Sequence, residues 1–450
     1  MLGEQKPMTQ KFLILIASLC VCIYNQFELV LQPCEASGIL PISSASNSQT
    51  QSAIPMLRVQ RLADSIFEVS VDCPSKIEYP PPIRAFFSNS GEHLALQLNH
   101  EAFVVVSCQS IMQGSETVSC GRLYSGRIIG FLHSEQLLYL TRKDLRKLNI
   151  GACKDSAVLS FSESSVGPDY FDEHLIASDA LVLSGGGDPD IGYPGRIIRY
   201  DLTKKQVVPC VKVAGFRNAV LSPSGPYITY EFGNEEYNEV HIYDVEKNKD
   251  HALKEFIALG PNSSQTAMGW VGKDRLLLWL TSKKSDNMDS MRVRLALLDL
   301  GAHRVVWQRE PKVFLLPTDI HPINKTKVLA NNSDTQRMYE IELTNGAMQP
   351  NRYIRGCSIA VSPNKRWLAT VQLNDCENAK DVVARVFVSK LDGQDIRQIA
   401  QLPSWEFQRA YKGMGIISPI WSPRGDVLVI LGEQKLAIIK LPNPREAMGK

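Results

Sequence analysis

The sequence predicts an all-β fold assembled from copies of one four-stranded unit, on three observations. The first is residues 221–248, LSPSGPYITYEFGNEEYNEVHIYDVEKN. They read as a strand end, a tight Ser-Pro-Ser-Gly turn, a strand over 227–231, a polar loop, a strand over 240–245 and a polar turn. The second is that the same grammar returns without gaps at 87–97 (FSNSGEHLALQ), 361–371 (VSPNKRWLATV) and 421–431 (WSPRGDVLVIL), and in weaker form from residues 131, 176, 270 and 320. The third is spacing: the eight starting points are separated by 44, 45, 45, 49, 50, 41 and 60 residues. Periods of this size with four short strands per copy are the signature of propeller blades. The expected architecture is therefore a β-propeller of eight blades, or seven if the copy at 131 is false.

Each element has a local cause. Pro223 presets its own φ and Gly225 permits a positive φ, so the turn has a mechanism. Tyr, Ile, Thr and Val fill the two runs, as half-buried strands prefer. One such unit cannot bury both of its faces, so it needs neighbours of its own kind. A second signature follows most copies, a strand closing on a turn: RYDLTKK (199–205), IYDVEKN (242–248), LLDLGAH (297–303), EIELTNG (340–346) and VSKLDGQ (388–394). The Ser-Pro-x-Gly turn followed by I-Y-x-x-D resembles the repeat of TolB-type propellers. It is also similar to the propeller domains that precede prolyl-oligopeptidase catalytic domains. The resemblance covers residues 56–442 and implies the fold; that repeat serves envelope scaffolds, peptidase lids and binding modules alike. The copies at 131, 176, 270 and 320 lack the full turn, and no separate amino-terminal domain of the TolB kind fits before residue 56.

In chain order, residues 1–36 read as a targeting segment. Lys6 and Lys11 precede the apolar run 12–24 (FLILIASLCVCIY), of signal-peptide length. Cleavage before Ser37 is favoured over retention as an anchor, because Asn25, Gln26 and Glu28 interrupt the run short of the roughly 20 residues a span needs. Residues 37–55 are a Ser/Gln-rich flexible linker. Residues 56–442 are the propeller and 443–450 a tail. The strand at 66–71 precedes the first full copy, while the last copy ends short at Pro442. An amino-terminal strand is thus expected to complete the carboxy-terminal blade and close the ring, which removes an open sheet edge.

Lys+Arg 49 against Asp+Glu 47 leaves +2, with none of the basic excess that nucleic-acid binders show. Of ten cysteines, seven follow residue 36, an odd number that leaves one unpaired. Cys108 ends one strand and Cys120 lies in the next, placed to face each other across a hairpin as a disulfide or as small buried hydrophobes. Asn262, Asn324 and Asn331 open glycosylation sequons, which carry meaning in a eukaryotic source.

Candidate sites lie on the innermost strands and the long loops. Just upstream of the copies stand Arg84, Arg127 and Arg217, with Glu173 and Thr266 at equivalent places and Arg355 ahead of Val361. Four guanidiniums ringing a channel mouth would suit a carboxylate or phosphate, since they pair bidentately with planar anions. Alternatively they cap strand ends or pair with Glu173. Asp188 and Asp190 have the spacing with which a calcium loop begins, without its third carboxylate or distal Glu, and a Gly/Asp turn is the competing reading. Residues 403–415, PSWEFQRAYKGMG, carry Trp405, Phe407, Arg409, Tyr411 and Lys412. Aromatics with Arg favour partner-binding centres; a lid packed on the ring is the alternative.

No nucleophile elbow, zinc-protease helix or phosphate-binding Gly loop occurs, and no cofactor is expected. Three functions fit. The favoured one is an exported, non-catalytic propeller, periplasmic, secreted or membrane-tethered outside the cytoplasm. It would bind an envelope or extracellular protein through its loops and touch a membrane only through an uncleaved amino-terminal segment. The second is a propeller enzyme, a lyase or glycoside hydrolase, at the channel mouth; the third is a binder of small anions in the channel.

Overall fold

The strand-forming runs of the sequence pair into eight antiparallel sheets, seven of four strands and one of five, among the residues that the computed structural model describes. Those are 56–441 except 73–83, 100–101, 115–117, 134, 142, 161–172, 177–179, 189–192, 202–203, 205, 213–215, 224–226, 234–237, 260–262, 284–290, 312–319, 333–336, 357, 374–382, 403–418 and 433–434. Residues 1–36, 37–55 and 443–450, expected to be a targeting segment, a linker and a tail, lie outside them. By contacts the chain divides into two units, one of residues 1–52 with 283–291 and one of the remainder. Apart from the strand-end residues Lys283 and Met291, the sheets belong to the second.

Seven sheets follow one another along the chain, at 84–125, 127–160, 173–212, 216–252, 263–309, 320–355 and 358–402. In each, four consecutive strands lie side by side in chain order. The eighth combines the last three strands, Ile420–Trp421, Val427–Leu431 and Lys435–Lys440, with the first two, Met56–Ala63 and Ile66–Asp72. Ile66 faces Ile439, Phe67 faces Ile438 and Val69 faces Leu436 across that junction.

Several middle strands are unbroken apolar runs because both of their faces are covered. In the strand Arg275–Lys283, successive side chains alternate between faces. Leu276, Leu278 and Leu280 join a cluster with Val240 and Ile242 of the fourth sheet, while Leu277 and Trp279 join one with Val328 and Ile341 of the sixth. In the eighth sheet, Val427, Val429 and Leu431 pack with Leu94 and Leu96 of the first sheet, and Leu428 and Ile430 with Ala369 and Val371 of the seventh. Similar clusters join the first sheet to the second, the second to the third, and the sixth to the seventh. Indole N–H groups span three of these seams: Trp270 donates to the Val220 carbonyl at 3.3 Å, Trp307 to the Leu343 carbonyl at 2.8 Å and Trp421 to the Ala360 carbonyl at 2.9 Å.

The repeated turn owes its sequence to its serine. Ser88, Ser222, Ser362 and Ser422 are almost wholly buried. Each hydroxyl accepts the N–H of the residue five positions on, His93 at 3.0 Å, Tyr227 at 3.1 Å, Trp367 at 2.9 Å and Val427 at 3.0 Å. Each serine N–H donates to the carbonyl of that same residue at 2.8–2.9 Å. The chain can reverse only through a left-handed residue, supplied by Gly91 (φ 72°) and Gly425 (φ 73°), and by Lys365 (φ 55°) in the copy without glycine. Weaker copies close the turn by other means. At 320 the Asn324 side chain accepts the N–H groups of Thr326 and Lys327 at 2.8 and 2.9 Å.

One expectation is corrected. Cys108 does not bridge to Cys120: it is a free thiol. The connection after the strand Ala102–Ser107 is a short helix, Cys108–Met112, capped by the Ser107 side chain, rather than a tight hairpin. That helix turns Cys108 into the apolar cluster with Val106 and Ile111. Burial, with the Asp426 carboxylate adding to it, pushes the thiol from an ordinary 9.0 up to about 12. Cys153, at a left-handed position of the turn after the second sheet's third strand, is disulfide-bonded.

Two expectations follow. Ser422→Ala strips the acceptor from a buried N–H, and equilibrium urea unfolding should show a loss of about 1–3 kcal/mol; an unchanged midpoint would show that the hydroxyl contributes nothing. Because the folded state favours the protonated Cys108 thiol, its contribution is complete below about pH 9 and is lost as pH rises towards about 12. The alkaline loss of stability should be smaller in Cys108→Ala than in the native chain, and equal losses would contradict the assignment.

Candidate functional site

Antiparallel order gives every four-strand unit two unlike ends. At one, the first strand turns into the second and the third into the fourth. Serine turns close four of the former. Short side-chain-capped turns close several of the latter, whereas the first sheet's third strand passes to its fourth through the helix Cys108–Met112. Asp201 accepts the Lys204 N–H at 2.8 Å, Asp244 that of Lys247 at 3.0 Å, Asp299 that of Ala302 at 3.0 Å, and Asn149 that of Ala152 at 3.0 Å. These carboxylates and the amide are what the trailing strand-and-turn signature encodes. At the other end run the connections from second to third strand and from sheet to sheet, including residues 374–383 and 403–419.

The four arginines expected at a channel mouth fall at this long-connection end. Arg84 and Arg127 begin the first strands of the first two sheets, the former exposed and the latter half-buried, and Arg217 is second in the first strand of the fourth. Arg355 instead ends the outer, fourth strand of the sixth sheet, opposite Arg337. Its carbonyl accepts from the Gln372 side chain of the seventh sheet at 3.1 Å.

Beside two of these arginines stand buried polar residues. Gln97, cross-strand from Arg84, donates to the Gly126 carbonyl at 3.0 Å and accepts from the Ile128 N–H of the second sheet. Glu231, cross-strand from Arg217, accepts the Ala267 N–H of the fifth sheet at 3.1 Å and the Asn238 side chain at 2.8 Å. Gln265 answers from the fifth sheet by accepting the Val240 N–H at 3.0 Å. A backbone group buried where two sheets meet has no ladder partner, so these side chains satisfy it.

Titratable groups converge most closely on one face of the fourth sheet. Tyr230 donates to Asp250 Oδ2 at 2.9 Å, and His241 Nδ1 lies 2.8 Å from the same oxygen. The Tyr230 and His241 rings stack with centroids 5.2 Å apart. His241 Nε2 is buried with no hydrogen-bond partner among the described residues, 4.0 Å from Glu239 Oε2, and Lys254 Nζ stands 3.2 Å from the other Glu239 oxygen. Burial and the Asp250 carboxylate hold the Tyr230 hydroxyl protonated well above its ordinary range. The second sheet builds the same strap: Tyr139 donates to Asp155 at 2.8 Å, and Arg146 pairs with that carboxylate at 2.7 Å. Sequence reasoning missed both. Their only signal was an Arg or His nine residues before an aspartate, Arg146 to Asp155 and His241 to Asp250, after a tyrosine one strand earlier. Repetition with a permanently charged arginine in one copy makes the strap a device for tying three strands together.

Asp188 ends the strand Ala180–Asp188 opposite Tyr193, so it belongs to a ladder, while Asp190 lies outside the described residues. Among the described residues no group of three or more His, Cys, Asp or Glu side chains is placed to hold a metal ion. Trp405, Phe407, Arg409, Tyr411 and Lys412 also lie outside the described residues.

No family model matches the chain, and no curated protein matches it. Its structure is similar to that of an oligogalacturonate lyase in complex with manganese, at 11% identity and a TM-score of 0.47 over 87% of this chain and 97% of that one. An oligogalacturonate lyase of Vibrio parahaemolyticus gives 11%, 0.46, 87% and 98% for the same measures. The β-propeller domain of Cps50 from Myceliophteria thermophila gives 12%, 0.44, 86% and 100%.

Proposed function

We propose that the sheets are the eight blades of one β-propeller, closed by the strand Ile66–Asp72, and that the chain is exported and binds a protein partner through its long-connection end. The observation that carries the binding reading is the contrast between the two ends: connections of ten residues or fewer at one, most of them hydrogen-bonded turns, and connections as long as residues 403–419 at the other. Long loops on a framework buried on both faces are where binding residues concentrate. Trp405, Phe407, Arg409, Tyr411 and Lys412 supply the aromatic and guanidinium groups that dominate interface energies. Closure is supported by the eighth sheet, which packs on both the seventh and the first. The repeat resembles that of TolB-type propellers. Export is supported by the basic and apolar stretch at 6–24 and by the disulfide at Cys153, since disulfides persist in oxidising compartments.

Affinity capture with residues 37–450 tests the binding reading. Trp405→Ala/Arg409→Ala should release the captured partner about ten-fold or more relative to the native chain, whereas Lys154→Ala on an outer strand should not. An unchanged set of partners in the double variant would dismiss the site. Closure has its own test. Removing residues 1–72 takes the fourth and fifth strands from the eighth sheet and should abolish cooperative unfolding, while removing 1–52 should leave it intact. A shortened chain 73–450 with the same unfolding midpoint would refute closure.

A further inference from the structure

The turn end, which the proposed partner site leaves unused, carries a patterned charge. The first-to-second-strand turns of the fifth, sixth, seventh and eighth sheets expose Lys273, Lys325, Lys365 with Arg366, and Arg424. Neighbouring turns adjoin. A methyl group on Gly425 would lie 3.8 Å from Asn364 Nδ2, and one on Gly91 3.7 Å from Pro423. Ile323 of the sixth sheet's turn and Val361 of the seventh pack against one cluster. Lys273 is partly neutralised by Asp274 at 3.8 Å and Arg424 by Glu92 at 2.9 Å. No carboxylate among the described residues pairs with Lys325, Lys365 or Arg366. At the same turn position the first and second sheets expose acids instead, Glu92 and Glu135. Lys365 also occupies the left-handed position that glycine fills in two sister turns, a conformation disfavoured for residues with a Cβ, and so stands at the apex of its turn.

We propose that this basic arc docks an extended acidic segment of a partner protein. Packed sheets stand about 10 Å apart, so cations on four successive turns span about 30 Å, the length of about nine extended residues. A single small anion cannot reach more than one or two of them. The surplus of about three unpaired charges, bounded by acids, fits a short acidic peptide rather than a polyphosphate, whose binding rests on many phosphate contacts. Glu135, exposed on the second sheet's turn, repels a segment that overruns the arc and so sets its register.

The test uses a fluorescein-labelled peptide of about twelve residues with Glu at alternate positions, read by fluorescence anisotropy at low salt. The native chain should bind it, with affinity falling as salt rises. A Gln-substituted peptide should not bind. Lys325→Glu/Lys365→Glu/Arg366→Glu should weaken binding about ten-fold or more. Lys365→Gly, which removes one charge and suits the backbone, should weaken it several-fold and decides the matter if the triple variant fails to fold. Trp405→Ala/Arg409→Ala should bind the peptide as the native chain does, which separates this surface from the long-connection site. Equal binding by Lys365→Gly and the native chain would overturn the proposal. So would binding of phosphatidylglycerol vesicles or duplex DNA in place of the peptide.

Discussion

A sheet that is apolar on both faces cannot be the last in a stack, and that constraint organises this molecule. Leu428 and Ile430 face the seventh sheet while Val427 and Val429 face the first, so the carboxy-terminal strands need cover on two sides. Each fully buried side chain of this kind is worth about 1.5–3 kcal/mol relative to exposure, and an uncovered face would forfeit several of them at once. The amino-terminal strand meets the same demand from its own side. Ile66 lies in the cluster shared with the seventh sheet, and Phe67 and Val69 in the one shared with the first. Pairing Ile66–Asp72 with Lys435–Lys440 joins residues more than three hundred positions apart. Contacts so distant in sequence are costly to form early, which places this pairing late in folding.

Stacking sheets this way buries polar backbone at every seam, and the buried side chains are matched to it. The four serine hydroxyls, the Gln97 and Gln265 amides and the Glu231 carboxylate each take a backbone N–H that no strand ladder could satisfy. An unmet buried donor costs about 1–3 kcal/mol, comparable to losing a buried leucine, so these groups specify register as strongly as the apolar ones do. The tyrosine straps work within a sheet. Tyr139 and Tyr230 reach an aspartate two strands away, and Arg146 or His241 on the strand between shares that carboxylate.

Much of this was legible in the sequence because it is local. The Ser-Pro-x-Gly turn spans six residues, and its serine, its left-handed residue and the strand that follows are all fixed by short-range geometry, so the copies at 87, 221, 361 and 421 announce themselves. The strand-and-turn signature is local too, since its Asp or Asn bonds a backbone group two or three residues on. What escaped notice depends on neighbours far along the chain. Gln97 looks like any strand glutamine until the second sheet places Gly126 and Ile128 beside it. His241 looks scattered until Tyr230 and Asp250 flank it. Of the two readings of Cys108, the disulfide fails and the small buried hydrophobe stands, because a five-residue helix capped by Ser107 replaces the expected hairpin. Arg355 was assigned by distance to the next copy, a measure that fails where the outer strand runs on to the residues just before it.

The two ends of the sheets then differ in kind, and the difference follows from the same hydrogen bonds. Turns tied by a buried hydroxyl and a reciprocal backbone pair have little freedom, so the side chains on them sit at separations set by sheet packing. Lys365 shows that the backbone geometry is held even where the residue type opposes it. Such an end presents a fixed pattern of charge, suited to reading the spacing of an extended ligand at small entropic cost. The opposite end has such ties only in places among the described residues, as where Thr141 Oγ1 accepts the Asp144 N–H at 3.0 Å. Its connections differ in length from sheet to sheet, while beneath them the Gln97, Glu231 and Gln265 contacts hold neighbouring sheets together. Variation in the loops therefore leaves the framework undisturbed. One repeated fold can in this way offer a rigid, charge-patterned surface and an adaptable one at once, because the residues that hold the sheets together are not those that face outward at either end.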